Sequence, residues 1–123
     1  MDSRLIAVLE RARELGFLGP GPINEHVEHS LAFLDAWDGL YGAAPGRLLD
    51  LGAGGGVPGL VLAASWSGTE TVLLDASARR CAFLLGAVEE LGIAGSVSVV
   101  ESRAEFAARR PDLERSFDLV TSR

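Results

Sequence analysis

The sequence predicts an α/β protein, a parallel sheet of about four strands preceded by a helical leader. Three observations carry this. Short apolar segments near residues 48–51, 71–74, 97–100 and 117–120 alternate with helix-forming segments, the pattern of βα units joined by right-handed crossovers. The stretch R-L-L-D-L-G-A-G-G-G-V-P-G, residues 47–59, reads as strand, glycine turn and helix start. Ahead of it, residues 2–15 and 24–40 place apolar side chains at helical spacing. With 123 residues the chain has room for one domain, divided here into a leader, 1–45, and a core, 46–123.

Taken in order, the first helix (2–15) turns Leu5, Val8, Leu9, Ala12 and Leu15 to one face, and Gly16 suits its C-terminal cap. Gly19-Pro20-Gly21-Pro22 is a loop. A second helix starts near Asn24, a possible N-cap, runs to about Leu40 and carries a stripe of Val27, Leu31, Leu34 and Trp37. Leu48, Leu49 and Leu51 form a buried strand interrupted by Asp50. Leu60 to Ala64 continue past the glycines as a packed helix. The second strand, Thr71 to Leu74, ends in Asp75. Ser77 caps a helix that runs to Leu91, stops at Gly92 and turns Cys81, Leu84, Leu85 and Val88 inward. The third strand is Val97 to Val100. A short helix opened by Ser102 to Glu105 is ended by Pro111. The fourth strand covers Phe117 to Val120. Parallel sheets normally continue beyond such a strand and are covered on both faces. The chain therefore reads as shortened, with an open sheet side that favours self-association through an edge strand.

The glycines allow more than one reading. Strand, glycine turn and helix let backbone approach a nucleotide-like ligand closely. Gly54, Gly56 and Gly59 fit G-x-G-x-x-G, the dinucleotide fingerprint. Gly52, Gly54 and Gly56 fit a G-x-G-x-G turn two residues after Asp50, which resembles the first motif of methyltransferases that wrap the amino-acid end of S-adenosylmethionine. The bland alternative is a turn without a ligand, although four glycines in five residues cost backbone entropy that a simple turn does not require. In a doubly wound sheet the ends of strands one and two are neighbours, so Asp75 is expected beside this turn. There its carboxylate accepts from ribose hydroxyls or balances a helix dipole. Asp50 is read as a group that orders the turn or meets the ligand's ammonium.

Seventeen acidic and eleven basic residues give a formal charge of −6. This argues against strong non-specific nucleic-acid binding but leaves room for a local basic patch. A single cysteine, Cys81, excludes an intrachain disulfide framework and is read as a small core residue. The opening residues lack a signal-peptide pattern, and no apolar run is long enough to span a membrane. A cytoplasmic setting is expected, with no membrane partner. His26 and His29, flanked by Glu25 and Glu28, have a spacing that can ligate a metal, but no ligand set completes it and no metal is expected.

Four segments, L-D-L-G-A-G-G-G-V-P-G, L-L-D-A-S-A-R-R-C-A-F-L, V-V-E-S-R-A-E and F-D-L-V-T-S-R, resemble in order those of the glucose-inhibited division protein B family. The likeness covers roughly residues 24–123. It implies a Rossmann-like class I methyltransferase fold, S-adenosylmethionine as cofactor, and methylation of guanine N7 in small-subunit ribosomal RNA, with the small ribosomal subunit as partner. It further implies that Gly52, Gly54, Gly56 and Val57 line the cofactor pocket, that Asp75 holds the ribose, that Ala104 and Glu105 flank the adenine, and that Arg123 borders the same pocket. Arg79 and Arg80 match the family's basic pair, read here as RNA contacts or as a solvated helix face. Two departures stand out: family members continue past Arg123, and the family's Arg-His pair appears as Glu28-His29. A small-molecule methyltransferase and a non-catalytic cofactor-binding module remain open beside the RNA enzyme.

Overall fold

In the computed structural model, residues 2–114 and 116–122 are described. Helices α1 (Ser3–Glu14) and α2 (Ile23–Tyr41) precede β1 (Arg47–Leu51), α3 (Gly59–Ser65), β2 (Glu70–Asp75), α4 (Ala78–Glu90), β3 (Val97–Glu101), α5 (Ala104–Ala107) and β4 (Leu119–Ser122). The four strands lie in the order β3-β2-β1-β4, and every neighbouring pair is parallel.

Register assigns the side chains to two faces, because successive residues of a strand point to opposite sides. Leu48 pairs with Thr71 and Leu119, and Asp50 with Leu73 and Thr121, so these residues share one face. The helical leader covers it. Leu5, Val8 and Leu9 of α1 join Leu60 and Val61 of α3, Leu73 of β2, and Leu84, Ala87 and Val88 of α4 in one core. Leu48 packs against Leu62 and Trp66, with Leu34 and Trp37 of α2 alongside. On the opposite face, Leu49, Val72 and Leu74 are covered by Ala107 and Leu113, while Val120 stays 51% exposed.

The helix ends follow local chemistry. Asp2 accepts from the Arg4 N–H at 2.8 Å, an N-cap bond that satisfies one of the first-turn donors. Ser77 caps α4 through the Arg80 N–H. Gly16 takes a positive φ of 78° just past α1, as a C-terminal cap requires.

Several boundaries differ from the sequence expectation. The second helix begins at Ile23, one residue before the expected Asn24 cap, with Pro22 as its extended N-cap. Proline's fixed φ suits this place, and its missing N–H is no loss at a helix start. Leu85 is 53% exposed and Ala87 is buried in its stead, because the inward arc of α4 centres between Leu84 and Val88. Helix α5 is one turn that ends at Ala107, short of Pro111. Strand β4 begins two residues late, at Leu119. Asp118 delays it: its carboxylate accepts from the Arg47 N–H at 2.9 Å, and Phe117 packs beneath the Arg47 guanidinium, 4.5 Å from ring centre to Cζ. Among the described residues, no helix is long and apolar enough to cross a membrane.

Thr71 lies wholly inside the sheet core, and its hydroxyl has no hydrogen-bond partner. A buried unpaired hydroxyl costs free energy that an isosteric methyl does not. Thr71→Val is therefore expected to raise stability by about 1 kcal/mol, read as a higher denaturant midpoint at unchanged slope. A fall in the midpoint would contradict this account of the β2 core.

Candidate cofactor-binding site

The turn after β1 is shaped by its backbone. Gly52, Gly54 and Gly56 take φ values of 68°, 52° and 97°, a region that side chains with a Cβ rarely enter. The alternating G-x-G-x-G pattern thus records alternating left-handed residues. Between the first two, Ala53 is buried and its N–H donates to the Leu74 carbonyl at 2.9 Å, which carries the turn from β1 across the end of β2. Gly55 fits neither motif, yet a Cβ there would lie 2.7 Å from the Phe17 carbonyl oxygen.

Gly59 serves a different purpose. A Cβ on it would strike the Asp50 carboxylate and Leu73, so its absence lets α3 sit directly on the sheet. The Gly59 N–H donates to Asp50 Oδ2 at 3.0 Å, and the Thr121 hydroxyl donates to Asp50 Oδ1 at 2.9 Å. Asp50 is only 1% exposed. Burial outweighs these two hydrogen bonds and, helped by the nearby Asp75 charge, pushes its pKa up to about 6. One carboxyl group therefore ties β1 to α3 and to β4.

Asp75 stands where the sequence places it, at the end of β2 beside the glycines. Its Oδ2 accepts from the Gly54 N–H and its Oδ1 from the Ser77 N–H, each at 2.9 Å. The Ser102 N–H donates to the Asp75 carbonyl at 3.0 Å, which brings the segment after β3 to the same edge. The segments after β1 and β3 thus both bond to Asp75, the first at its carboxylate and the second at its backbone carbonyl.

A cleft of about 350 Å³ opens over the turn. Gly52, Ala53, Gly54, Gly55 and Val57 form one wall. Phe17, Leu18, Gly19 and Pro20, with His26 of α2, form the other. Of the second group, sequence reasoning named Gly19 and Pro20 only as a loop and His26 only as a possible metal ligand. The loop's signal was present in the Gly-Pro repeat, which is costly to order unless something packs on it. Three bonds fix this loop: the Phe17 N–H to the Ala12 carbonyl at 2.9 Å, Arg13 Nη1 to the Gly21 carbonyl at 3.0 Å, and His26 Nε2 to the Gly19 carbonyl at 3.1 Å. Since a carbonyl only accepts, His26 carries its proton on Nε2.

Asp75 lies behind the turn, buried and outside the lining of this cleft, and the remaining candidates lie apart from it. Gly56 faces Leu60. Ala104 opens α5 and lines a second, mainly apolar cavity of about 370 Å³ with Leu49, Leu51 and Val120. Glu105 is exposed, its carboxylate 3.8 Å from the Arg103 guanidinium. Arg123 lies outside the described residues.

Fold and turn together define a Rossmann-like α/β protein of the methyltransferase type. An O-methyltransferase from Bacillus cereus, crystallised with S-adenosylhomocysteine, matches the fold with a TM-score of 0.73 at 21% identity over 100% of this chain and 55% of its own. The model of the rRNA small subunit methyltransferase G family matches residues 7–123, and the chain belongs to that family. It is similar to the ribosomal RNA small subunit methyltransferase G of Prochlorococcus marinus, 40% identical over 79 residues, which are 64% of this chain and 32% of that protein. With the protein of that name from Laribacter hongkongensis it shares 38% identity over 119 residues, 97% of this chain and 48% of the relative. The chain thus spans between about a third and a half of the length of these curated relatives.

Asp50 gives a pH test. Its pKa rises from 3.8 in a free chain to about 6 in the fold, so between these values the folded state holds a proton that the unfolded state releases. The resulting contribution is fully present below pH 3.8 and is lost as pH rises through 6, on the order of 3 kcal/mol across the window. Asp50→Asn removes this term. The stability difference between the parent and the variant is expected to change with pH over that range, and a difference independent of pH would contradict the buried carboxyl.

Proposed function

We propose that this chain is the cofactor-binding part of an S-adenosylmethionine-dependent methyltransferase acting on guanine N7 of small-subunit ribosomal RNA. The observation that carries the reading is the Gly54 N–H donating to Asp75 at 2.9 Å, which holds the β2 carboxylate directly against the glycine turn. The family membership and the S-adenosylhomocysteine complex of the Bacillus cereus neighbour support it.

The residues present fit such a ligand. Nothing lies within 4 Å of where a Gly52 Cβ would be, so that side of the turn can be approached by a ligand's main body. Asp75 accepts one bond on each oxygen and keeps lone pairs for two hydroxyls. On this reading Gly52, Gly54 and Val57 hold the amino-acid end, and Gly56, packed on Leu60, shapes the turn from behind. Asp75 holds the ribose, and Ala104 and Glu105 flank the adenine.

S-adenosylmethionine supplies a methyl group on a sulfonium, an electrophile ready for in-line displacement. The N7 lone pair of guanine needs no deprotonation before it attacks, so the protein need supply no general base. What the chain contributes is placement, holding methyl and nucleophile at near-attack distance.

Calorimetric titration with S-adenosylhomocysteine tests the cofactor reading. Binding is expected, with about tenfold or greater loss in Asp75→Asn, which cannot accept equally from two donors and two hydroxyls. Unchanged affinity in that variant, or no heat at millimolar ligand, would overturn it. The acceptor is tested by tritiated methyl transfer, expected on unmodified small-subunit particles and absent on particles already methylated at the target guanine. Transfer to small amines or phenols instead would contradict an RNA acceptor.

A further inference from the structure

Beside the cleft the chain departs from its own acidic balance. Arg79 and Arg80, in the first turn of α4, stack over one ring: their Cζ atoms lie 5.5 and 5.8 Å from the Phe17 centroid. Phe17 in turn meets Phe83 edge-on, with centroids 5.7 Å apart and planes at 67°. Phe17 is also a wall of the glycine cleft, so the two guanidiniums sit one side chain away from it. Their sequence context favoured a solvated helix face over an RNA contact. Both are exposed, and the ring beneath them adds a fixed position beside the cleft.

The charge pairing separates these two from most other arginines. Arg4, Arg11, Arg47, Arg103 and Arg110 each face a carboxylate within 4 Å. Among the described residues, Arg79 and Arg80 have no carboxylate partner, although the chain carries six more acidic than basic groups. A guanidinium resting on an aromatic face gives up conformational freedom in advance and keeps its N–H edge available for bidentate phosphate binding.

We propose that Arg79 and Arg80, set on Phe17, form the phosphate-contacting edge that seats RNA beside the cofactor cleft. This rests on the RNA methyltransferase reading above and names the surface that reading lacks. The partner is RNA backbone rather than a particular base sequence, since guanidiniums held on a ring present N–H edges that match phosphate geometry.

The test is binding of a small-subunit ribosomal RNA fragment, followed by fluorescence anisotropy across a salt series, with S-adenosylhomocysteine affinity measured in parallel as a check on the fold. Arg79→Gln with Arg80→Gln is expected to weaken RNA binding at least tenfold at low salt and to reduce the slope of log K against log salt by about two. Cofactor-product affinity should be unchanged. Arg79→Lys with Arg80→Lys keeps the charge and is expected to restore most of the slope. Arg109→Gln with Arg110→Gln, on the segment after α5, serves as a charge-matched control with little effect. RNA binding equal to the parent's in the double glutamine variant would overturn the proposed edge while leaving the RNA reading in place. An RNA-blind parent chain that still binds S-adenosylhomocysteine would overturn both the edge and the RNA acceptor, and leave the cofactor reading standing.

Discussion

The arrangement depends on one buried carboxyl group. Asp50 sits one residue from the C-terminal end of β1, with its two oxygens engaged by the Gly59 N–H and the Thr121 hydroxyl. The first bond fixes where α3 starts, and so how far the glycine turn can reach. The second fixes β4 against β1. Removing a polar group from water is unfavourable unless its hydrogen bonds are replaced, and here they are replaced by groups 9 and 71 residues away. The cost of burying Asp50 is thus tied to a single geometry of strand, turn and helix. A packed apolar residue at this place would stabilise many registers nearly equally. Asp50 stabilises the one in which Gly52 to Gly56 cross toward Asp75.

Much of this was legible in the residues. The glycine turn was legible because left-handed backbone leaves little choice of residue, and Gly52, Gly54 and Gly56 all prove left-handed. Asp75 was legible because a doubly wound sheet makes the ends of β1 and β2 neighbours. Ser77 could be read as a cap because it stands just before the helical run that opens at Ala78. The rest is absent from local pattern for physical reasons. The Phe17–Pro20 wall meets the turn only through chain folding across more than thirty residues, and no periodicity encodes it. The start of β4 is set by the bond from Arg47 to Asp118, a partner that lies 71 positions away. Leu85 satisfied a four-residue spacing but fell on the flank of α4, since pattern gives the stripe and not its width.

The two sheet faces have different consequences for function. One is sealed by α1 to α4, and there the leader helices do more than precede the core. They carry the loop that forms half of the cleft, and Arg13 and His26 hold its Gly21 and Gly19 carbonyls. The other face is thinly covered, by Ala107 and Leu113, and holds an apolar cavity beneath α5. Ala104 stands at the border of this cavity, and the Ser102 bond to Asp75 links its segment to the glycine side. A ligand extending from the turn past Asp75 toward α5 would follow the carboxyl edge of three successive strands, the place where open α/β sheets bind their ligands.

The central claim is that Gly52 to Gly56 and Asp75 form one side of a single ligand site. Amide chemical shifts of the isotope-labelled chain during titration with S-adenosylhomocysteine test this most directly. The account predicts the largest changes at Gly52, Gly54 and Ser77, whose N–H groups line the turn or donate to Asp75, saturating together with one affinity. Changes confined to the cavity under α5, with the Gly54 and Ser77 amides unmoved at saturation, would contradict it.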